Sequence, residues 1–220
     1  MGRLMRRLIA VFMRFFFKHL YTTISWCYDF VAWASSMGQW RAWQHAALIE
    51  FKPGLILEIG HGPGHVLLDF IEQGRKIVGV DASQQMTRIA NRKLQGIGAG
   101  SVVVQGQGQF LPFKQASFSG VVATFPSEYI LDLKTLANIH RVLEPAGNLV
   151  IIGLSTITGK GLHDRFAAWL YWITGLSDNP EHAFQNWISS IEDVGFNTRI
   201  EIESQPRADV LRLVAAKITD

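Results

Sequence analysis

Cysteine is the scarcest residue of this chain: one, Cys27, in 220 residues. A single thiol excludes an intramolecular disulfide framework and any zinc site built on cysteines, and it fits a reducing compartment. Charge is scarce as well. Lys, Arg, Asp and Glu together make up 18% of the chain, against about 25% in an ordinary soluble domain. With 48% apolar residues the chain is too hydrophobic to be disordered. Its length suits one domain with additions and a large buried core. Internal repeats and low-complexity tracts are lacking. Acid is missing altogether from the first 20 residues, where Arg3, Arg6, Arg7, Arg14 and Lys18 give a charge of +5. The other 200 residues hold 16 bases and 18 acids, a charge of −2. The net +3 therefore belongs to one end, and the mildly acidic body argues against nucleic acid as a partner.

On a helical wheel the five bases fall within an arc of about 120°. Leu4, Met5, Leu8, Ile9, Phe12, Phe15, Phe16 and Leu20 are among the residues on the rest of the wheel, while Ala10 and Phe17 intrude on the basic arc. Large apolar residues on one side and arginines on the other describe a helix lying in a membrane interface, its bases meeting anionic headgroups. Other readings stay open: a helix packed on the protein's own core or on a partner, a spanning helix, or a cleaved leader ending near Ala32-Trp33-Ala34. A spanning helix would be interrupted by Arg14 and Lys18, and the apolar run of a leader, Leu8 to Met13, is short. Residues 21–50 continue the aromatic theme with Tyr21, Trp26, Tyr28, Phe30, Trp33, Trp40 and Trp43. Trp and Tyr suit a boundary between apolar and wet surroundings, though core packing accounts for them equally well. Gly38 reads as a break before a second helix that runs to Phe51. The expected organisation is a basic amphipathic helix over 1–20, an aromatic helical lid or linker over 21–50, and a catalytic-type domain over 51–220.

From residue 54 strand and helix alternate. Strands are expected at Leu55–Ile59, Lys76–Asp81, Ser101–Gln105, Ser119–Thr124 and Asn148–Gly153. Helices are expected at His65–Gln73, Gln84–Leu94 behind a Ser83 cap, and Leu131–Leu143. Further helices are read at Leu162–Thr174 and His182–Val194. Two last strands, Thr198–Ser204 and Val210–Ile218, leave no room for a helix between them and read as a hairpin. The alternation predicts an α/β fold with a parallel sheet covered on both faces.

The turn after the first strand is Gly60-His61-Gly62-Pro63-Gly64, where backbone can approach a nucleotide without side chains in the way. A dinucleotide fingerprint would place its third glycine at position 65, which is His. Asp81 ends the second strand 17 residues beyond Gly64, where its carboxylate can accept two ribose hydroxyls. Four ordered blocks then resemble the class I S-adenosylmethionine-dependent methyltransferases. They are Leu57 to Gly64; Gly79-Val80-Asp81-Ala82-Ser83 with Met86; Gly106 to Phe113 with Phe118; and Arg141 to Leu149. The match spans about residues 50–218 and is nearest the branch that methylates quinones and small lipids.

The resemblance implies a Rossmann-like, seven-stranded, mostly parallel sheet with a reversed C-terminal hairpin, and S-adenosylmethionine as cofactor. It implies that Glu58, Gly60, Gly62 and Gly64 surround the methionine moiety, with Asp81, Ala82 and Met86 on the adenosine. Gln107 and Gly108 would face the adenine, Gln107 standing where the family usually has Asp; its amide oxygen accepts without charge. Ala146 replaces a common glycine in a turn. Thr124, which ends the fourth strand, is also expected to contact the cofactor; it stands beside Phe125-Pro126-Ser127-Glu128-Tyr129, the usual source of acceptor contacts. Glu128 is a candidate base or ammonium partner, or simply a helix-start residue, and Tyr129 a candidate to orient an acceptor. His61 is a candidate near the methyl group, or a packing residue of the turn. Pro63 and the glycines keep His61 and His65 from forming a helical metal pair, so no metal is expected. His163, His182, Trp169, Tyr171 and Trp172 lie in a late lid-like region.

The chain lacks the Asn-Pro-Pro-Tyr type of motif associated with many nucleobase methyltransferases. The leading expectation is methyl transfer to an amphiphilic, membrane-associated acceptor, a phospholipid headgroup amine or an isoprenoid quinone precursor. Residues 1–20 would hold a cytoplasmic protein peripherally on the inner face of an anionic membrane. A soluble acceptor, a dinucleotide-dependent oxidoreductase and a non-catalytic cofactor-binding module are the alternatives. Oligomeric state is not legible.

Overall fold

The computed structural model describes residues 51–157, 187–205 and 208–219. The amphipathic and aromatic segments of residues 1–50, the helix read at 162–174, His163, His182 and the aromatic cluster around Trp169 lie outside the described residues. Strand β1 (Leu55–Ile59) leads to α1 (His65–Glu72), β2 (Lys76–Asp81), α2 (Gln84–Gly96) and β3 (Val103–Gln105). Then come β4 (Phe118–Thr124), α3 (Leu133–Val142) and β5 (Leu143–Ile157). Residues 187–192 form α4, followed by the hairpin of β6 (Phe196–Gln205) and β7 (Ala208–Lys217).

The seven strands stand in the order β3-β2-β1-β4-β5-β7-β6. The pairs β1–β2, β2–β3, β1–β4 and β4–β5 are parallel, whereas β7 runs antiparallel to both β5 and β6. This is the Rossmann-like sheet with a reversed final hairpin that the sequence led us to expect. Alternate residues of the central strands enter two separate cores, because successive side chains point to opposite faces. Ile56, Ile77, Val122 and Val150 pack with Val66, Leu67 and Phe70 of α1 and Ala90 and Leu94 of α2. Leu57, Val121, Leu149 and Leu213 pack with Leu136 and Ile139 of α3 and Ile191 of α4. Burial on both faces explains why these strands read as continuous apolar runs.

Several boundaries differ from the sequence reading, three elements most clearly. Helix α3 begins at Leu133 rather than Leu131, because the Asp132 carboxylate accepts from the Lys134 and Thr135 amides at 2.8 and 3.3 Å. Glu128–Leu131 forms a separate 3-10 turn ahead of it. Strand β5 is longer than Asn148–Gly153 at both ends. Its register shifts between the Leu143 and Asn148 pairings with β4, and again between the Ile152 and Leu154 pairings with β7. Such bulges let a strand continue past residues that look like its ends. Strand β3, at the sheet edge, shortens to Val103–Gln105.

Candidate active site

Strand order reverses between β1 and β4, since the chain leaves β1 toward β2 and β4 toward β5. In open α/β sheets ligands bind at such a switch point, beyond the carboxyl ends of the strands. A cavity of about 470 Å³ lies there, within the usual size range for small-molecule sites. Of the residues singled out from the sequence, Gly60, Gly62, Asp81, Ala82, Gln107, Gly108, Thr124 and Tyr129 line it. Ile59, Val80, Ser83, Gly106, Gln109, Phe125, Pro126 and Ser127 complete the wall. None of these eight was singled out as a cofactor or catalytic residue, although Phe125, Pro126 and Ser127 lie in the run expected to contact an acceptor and the other five each adjoin a selected residue.

Two glycines of the turn have specific reasons to be glycine. Gly60 has φ of 75°, and a Cβ there would stand 2.2 Å from the Tyr129 hydroxyl. That hydroxyl donates to the Ile59 carbonyl at 3.3 Å, so the 3-10 turn after β4 closes over the end of β1. Gly62 has φ of 52°, with nothing within 4 Å of where its Cβ would be. Its amide donates to Asp81 Oδ2 at 2.8 Å, while the Ser83 amide donates to Asp81 Oδ1 at 2.7 Å. One carboxylate thus ties the glycine turn to the start of α2, whose cap is Ser83 accepting from the Met86 amide at 3.3 Å. Each Asp81 oxygen keeps a lone pair for a further donor.

The remaining candidates lie elsewhere. Gly64 serves packing: a Cβ there would come 2.9 Å from Ala90 Cβ of α2. Met86 is buried in the core, and Glu128 is exposed. Glu58 and His61, 1% and 3% exposed, do not line the cavity; they are buried behind the turn. Burial, then the charges of Asp81 and Asp69, push the Glu58 carboxyl well above the usual carboxylate range. Burial lowers the His61 imidazole, opposed by the Asp81 charge and by its bonds to backbone. Gln107 and Gln109 sit on a loop pinned from α3. Asn138 Nδ2 donates to the Gln109 carbonyl at 2.8 Å, and Arg141 donates to the Leu111 and Phe113 carbonyls at 2.9 and 2.7 Å. Phe125, on the cavity wall, has φ of 48°. A left-handed aromatic residue is a strained feature of the kind that gathers at functional sites.

The donor set suits an adenosyl sulfonium. Asp81 offers acceptor sites for ribose hydroxyls, and Gln107 with the Gly108 amide offers an acceptor and donors for an adenine edge. Gly60 and Gly62 present bare backbone where a side chain would intrude. Among the described residues no group of three or more His, Cys, Asp or Glu could hold a metal ion.

Residues 56–147 match the family model described as "Methyltransferase domain". The chain is 29% identical over 168 residues to demethylmenaquinone methyltransferase of Symbiobacterium thermophilum, an alignment covering 72% of this chain and 66% of that protein. It is likewise 29% identical over 173 residues to demethylmenaquinone methyltransferase of Thermobifida fusca, covering 74% and 73%. The chain thus spans about two thirds to three quarters of the length of these relatives. Its fold is similar to that of geranyl diphosphate C-methyltransferase from Streptomyces coelicolor, solved with S-adenosyl-L-homocysteine. The TM-score is 0.58 at 12% identity, over 81% of this chain and 77% of that one. Sequence, sheet order and cavity agree: this chain carries a methyltransferase domain of the class I fold and is an S-adenosylmethionine-dependent methyltransferase.

Proposed function

We propose that the enzyme transfers a methyl group to an amphiphilic acceptor that resides in a membrane, the ring of an isoprenoid quinone precursor before the amine of a phospholipid headgroup. The observation that carries the membrane part is the charge distribution: +5 in residues 1–20 against −2 in the rest. The quinone preference rests on the demethylmenaquinone methyltransferases that the chain is similar to. A peripheral position on the cytoplasmic, inner face of an anionic membrane follows from the same segment, whose five bases are each worth about 1 kcal/mol near such a surface. The acceptor would then reach the cavity without leaving the bilayer.

The cofactor supplies a methyl group already activated on a sulfonium, so the protein's work is alignment and exclusion of water. Asp81, Gln107 and the Gly60–Gly62 backbone hold and orient it. Thr124, Phe125 and Pro126 form the wall from the end of β4, on the side where an acceptor would approach. Tyr129 reaches the cavity and would orient the acceptor through its hydroxyl. Glu128, exposed at the start of the same turn, is the group available to receive a proton or hold an ammonium. His61 is placed to act on the turn from behind.

Flotation with anionic vesicles tests the membrane part. The full-length protein should float with phosphatidylglycerol-containing vesicles, and the variant with Arg3, Arg6, Arg7, Arg14 and Lys18 changed to Gln should not. A wild-type protein that binds S-adenosylhomocysteine yet ignores anionic vesicles removes the membrane part of the reading.

A further inference from the structure

Between α1 and the sheet lies a buried group of titratable side chains outside the cavity wall. Glu58 of β1 is in register with Gly79 of β2, so the two residues face the same side on strands about 4.8 Å apart. Gly79 has no side chain, and the His61 ring takes the space. A Cβ on Gly79 would meet His61 Cδ2 at 2.9 Å and Leu67 Cδ1 of α1 at 2.9 Å. The imidazole therefore lies beside the Glu58 side chain, under α1.

His61 Nδ1 is 2.7 Å from the Gly62 carbonyl oxygen. A carbonyl only accepts, so Nδ1 carries the hydrogen, and in the neutral ring Nε2 is a bare acceptor. That Nε2 is buried without a hydrogen-bond partner, and so is Glu58 Oε2. The surrounding charges are unfavourable to a Glu58 carboxylate. Asp69 faces it from α1 and Asp81 from β2, and both act to keep its proton on. His65 of α1 and Lys93 of α2 engage each other at 3.3 Å, and the β4 residue in register with Glu58 is Val122. A protonated carboxyl is a donor, and the neighbouring Nε2 is an acceptor that lacks one. An ionised, unpaired carboxylate in the same place is the costly alternative.

We propose that Glu58 and His61 form a proton-sharing pair, a neutral carboxylic acid facing a bare imidazole nitrogen through one bridging water, that fixes the glycine turn from behind. The acid of the turn motif is then a positioning residue and touches no ligand. The pair acts through Gly62, whose carbonyl accepts from His61 while its amide donates to Asp81. When the pair loses its one proton to solvent at alkaline pH, a charge is left beside Asp81, the turn loosens, and cofactor affinity falls.

Glu58→Gln keeps a neutral donor in the same shape and is the diagnostic variant. By titration calorimetry with S-adenosylhomocysteine, E58Q should bind within about threefold of wild type at neutral pH. Wild-type affinity should fall as pH rises to about 9.5, while E58Q stays flat. A loss of more than about 30-fold in E58Q at neutral pH, with thermal stability intact, means that the carboxylate charge is needed and overturns the proposal. Two measurements hold even if the variant folds poorly. In wild-type protein, pH-difference infrared spectra should contain the carbonyl stretch of a protonated carboxylic acid at neutral pH. The ¹⁵N spectrum should contain one histidine as the Nδ1–H tautomer, missing in His61→Asn. A wild type without either signal contradicts the pair. Neither readout involves a methyl acceptor, so failure here is distinct from failure of the membrane-acceptor reading.

Discussion

Replacing Asp81 by Asn tests the site where the geometry is most explicit. The wild-type carboxylate accepts two backbone amides, from Gly62 at 2.8 Å and Ser83 at 2.7 Å, one on each oxygen. Asn has a single acceptor oxygen, so its NH₂ must point at one of these N–H groups. One hydrogen bond to a charged group is lost, worth about 1.5–3 kcal/mol. That loss weakens the turn in free and bound protein alike; the same NH₂ also removes a charged acceptor from the ribose side, a loss of about 1.5–3 kcal/mol felt only in the complex. At about 1.4 kcal/mol per decade, S-adenosylhomocysteine affinity should fall roughly 10- to 150-fold. Titration calorimetry measures it, with thermal unfolding run alongside to separate local from global loss. A change of less than about threefold would refute the claim that Asp81 ties the turn to α2 and holds the cofactor.

Other substitutions probe the frame around the site. Gly120→Ala forces a Cβ to within 2.1 Å of Phe51 Cδ1, an overpacking cost of about 1–3 kcal/mol that should lower Tm by about 2–4 °C per kcal/mol. Ala146→Gly relieves a φ of 56°. A left-handed L-residue costs about 1–2 kcal/mol and glycine's extra chain entropy about 0.5–1 kcal/mol, so denaturant unfolding should register a small net stabilisation. Tyr129→Phe removes the bond to the Ile59 carbonyl and should lower kcat more than it weakens S-adenosylhomocysteine binding; equal loss in both would make it a cofactor residue. The stability difference between E58Q and wild type depends on pH with a definite sign. Glu58 is raised in the folded state, so wild type loses stability as pH climbs from about 4.5 to its folded value. The relative stability of E58Q should rise over that interval and level off above it.

The glycine turn and the sheet could be read from the sequence because both are local. Backbone needs at Gly60 and Gly62, and a buried strand between turn residues, leave their mark on adjacent positions. Asp81 was legible for the same reason, at the end of a strand a helix away from the turn. The facing direction of a side chain was less accessible. Glu58 and His61 belong to the motif, but strand alternation turns Glu58 toward α1, and Gly79, on another strand, makes room for the His61 ring. The α3 start at Leu133 follows from Asp132 as a cap, a local signal that the apolar periodicity of Leu131 overrode. The bulges that lengthen β5 arise in pairing with β4 and β7. Phe125 on the cavity wall has left-handed geometry set by the end of β4 and by the hydrogen bond its backbone N–H donates to the Ile152 carbonyl, which no side-chain pattern announces. The pinning of the Gln107–Phe113 loop by Asn138 and Arg141 is a contact over 28 to 30 residues.

Methyl transfer from labelled S-adenosylmethionine into a total lipid extract tests the central functional claim most directly. Label is expected in a lipid-phase acceptor, chromatographing with isoprenoid quinones, and transfer should fall when the five bases of residues 1–20 are neutralised. Label confined to water-soluble acceptors, at a rate indifferent to lipid and to those bases, would contradict the claim.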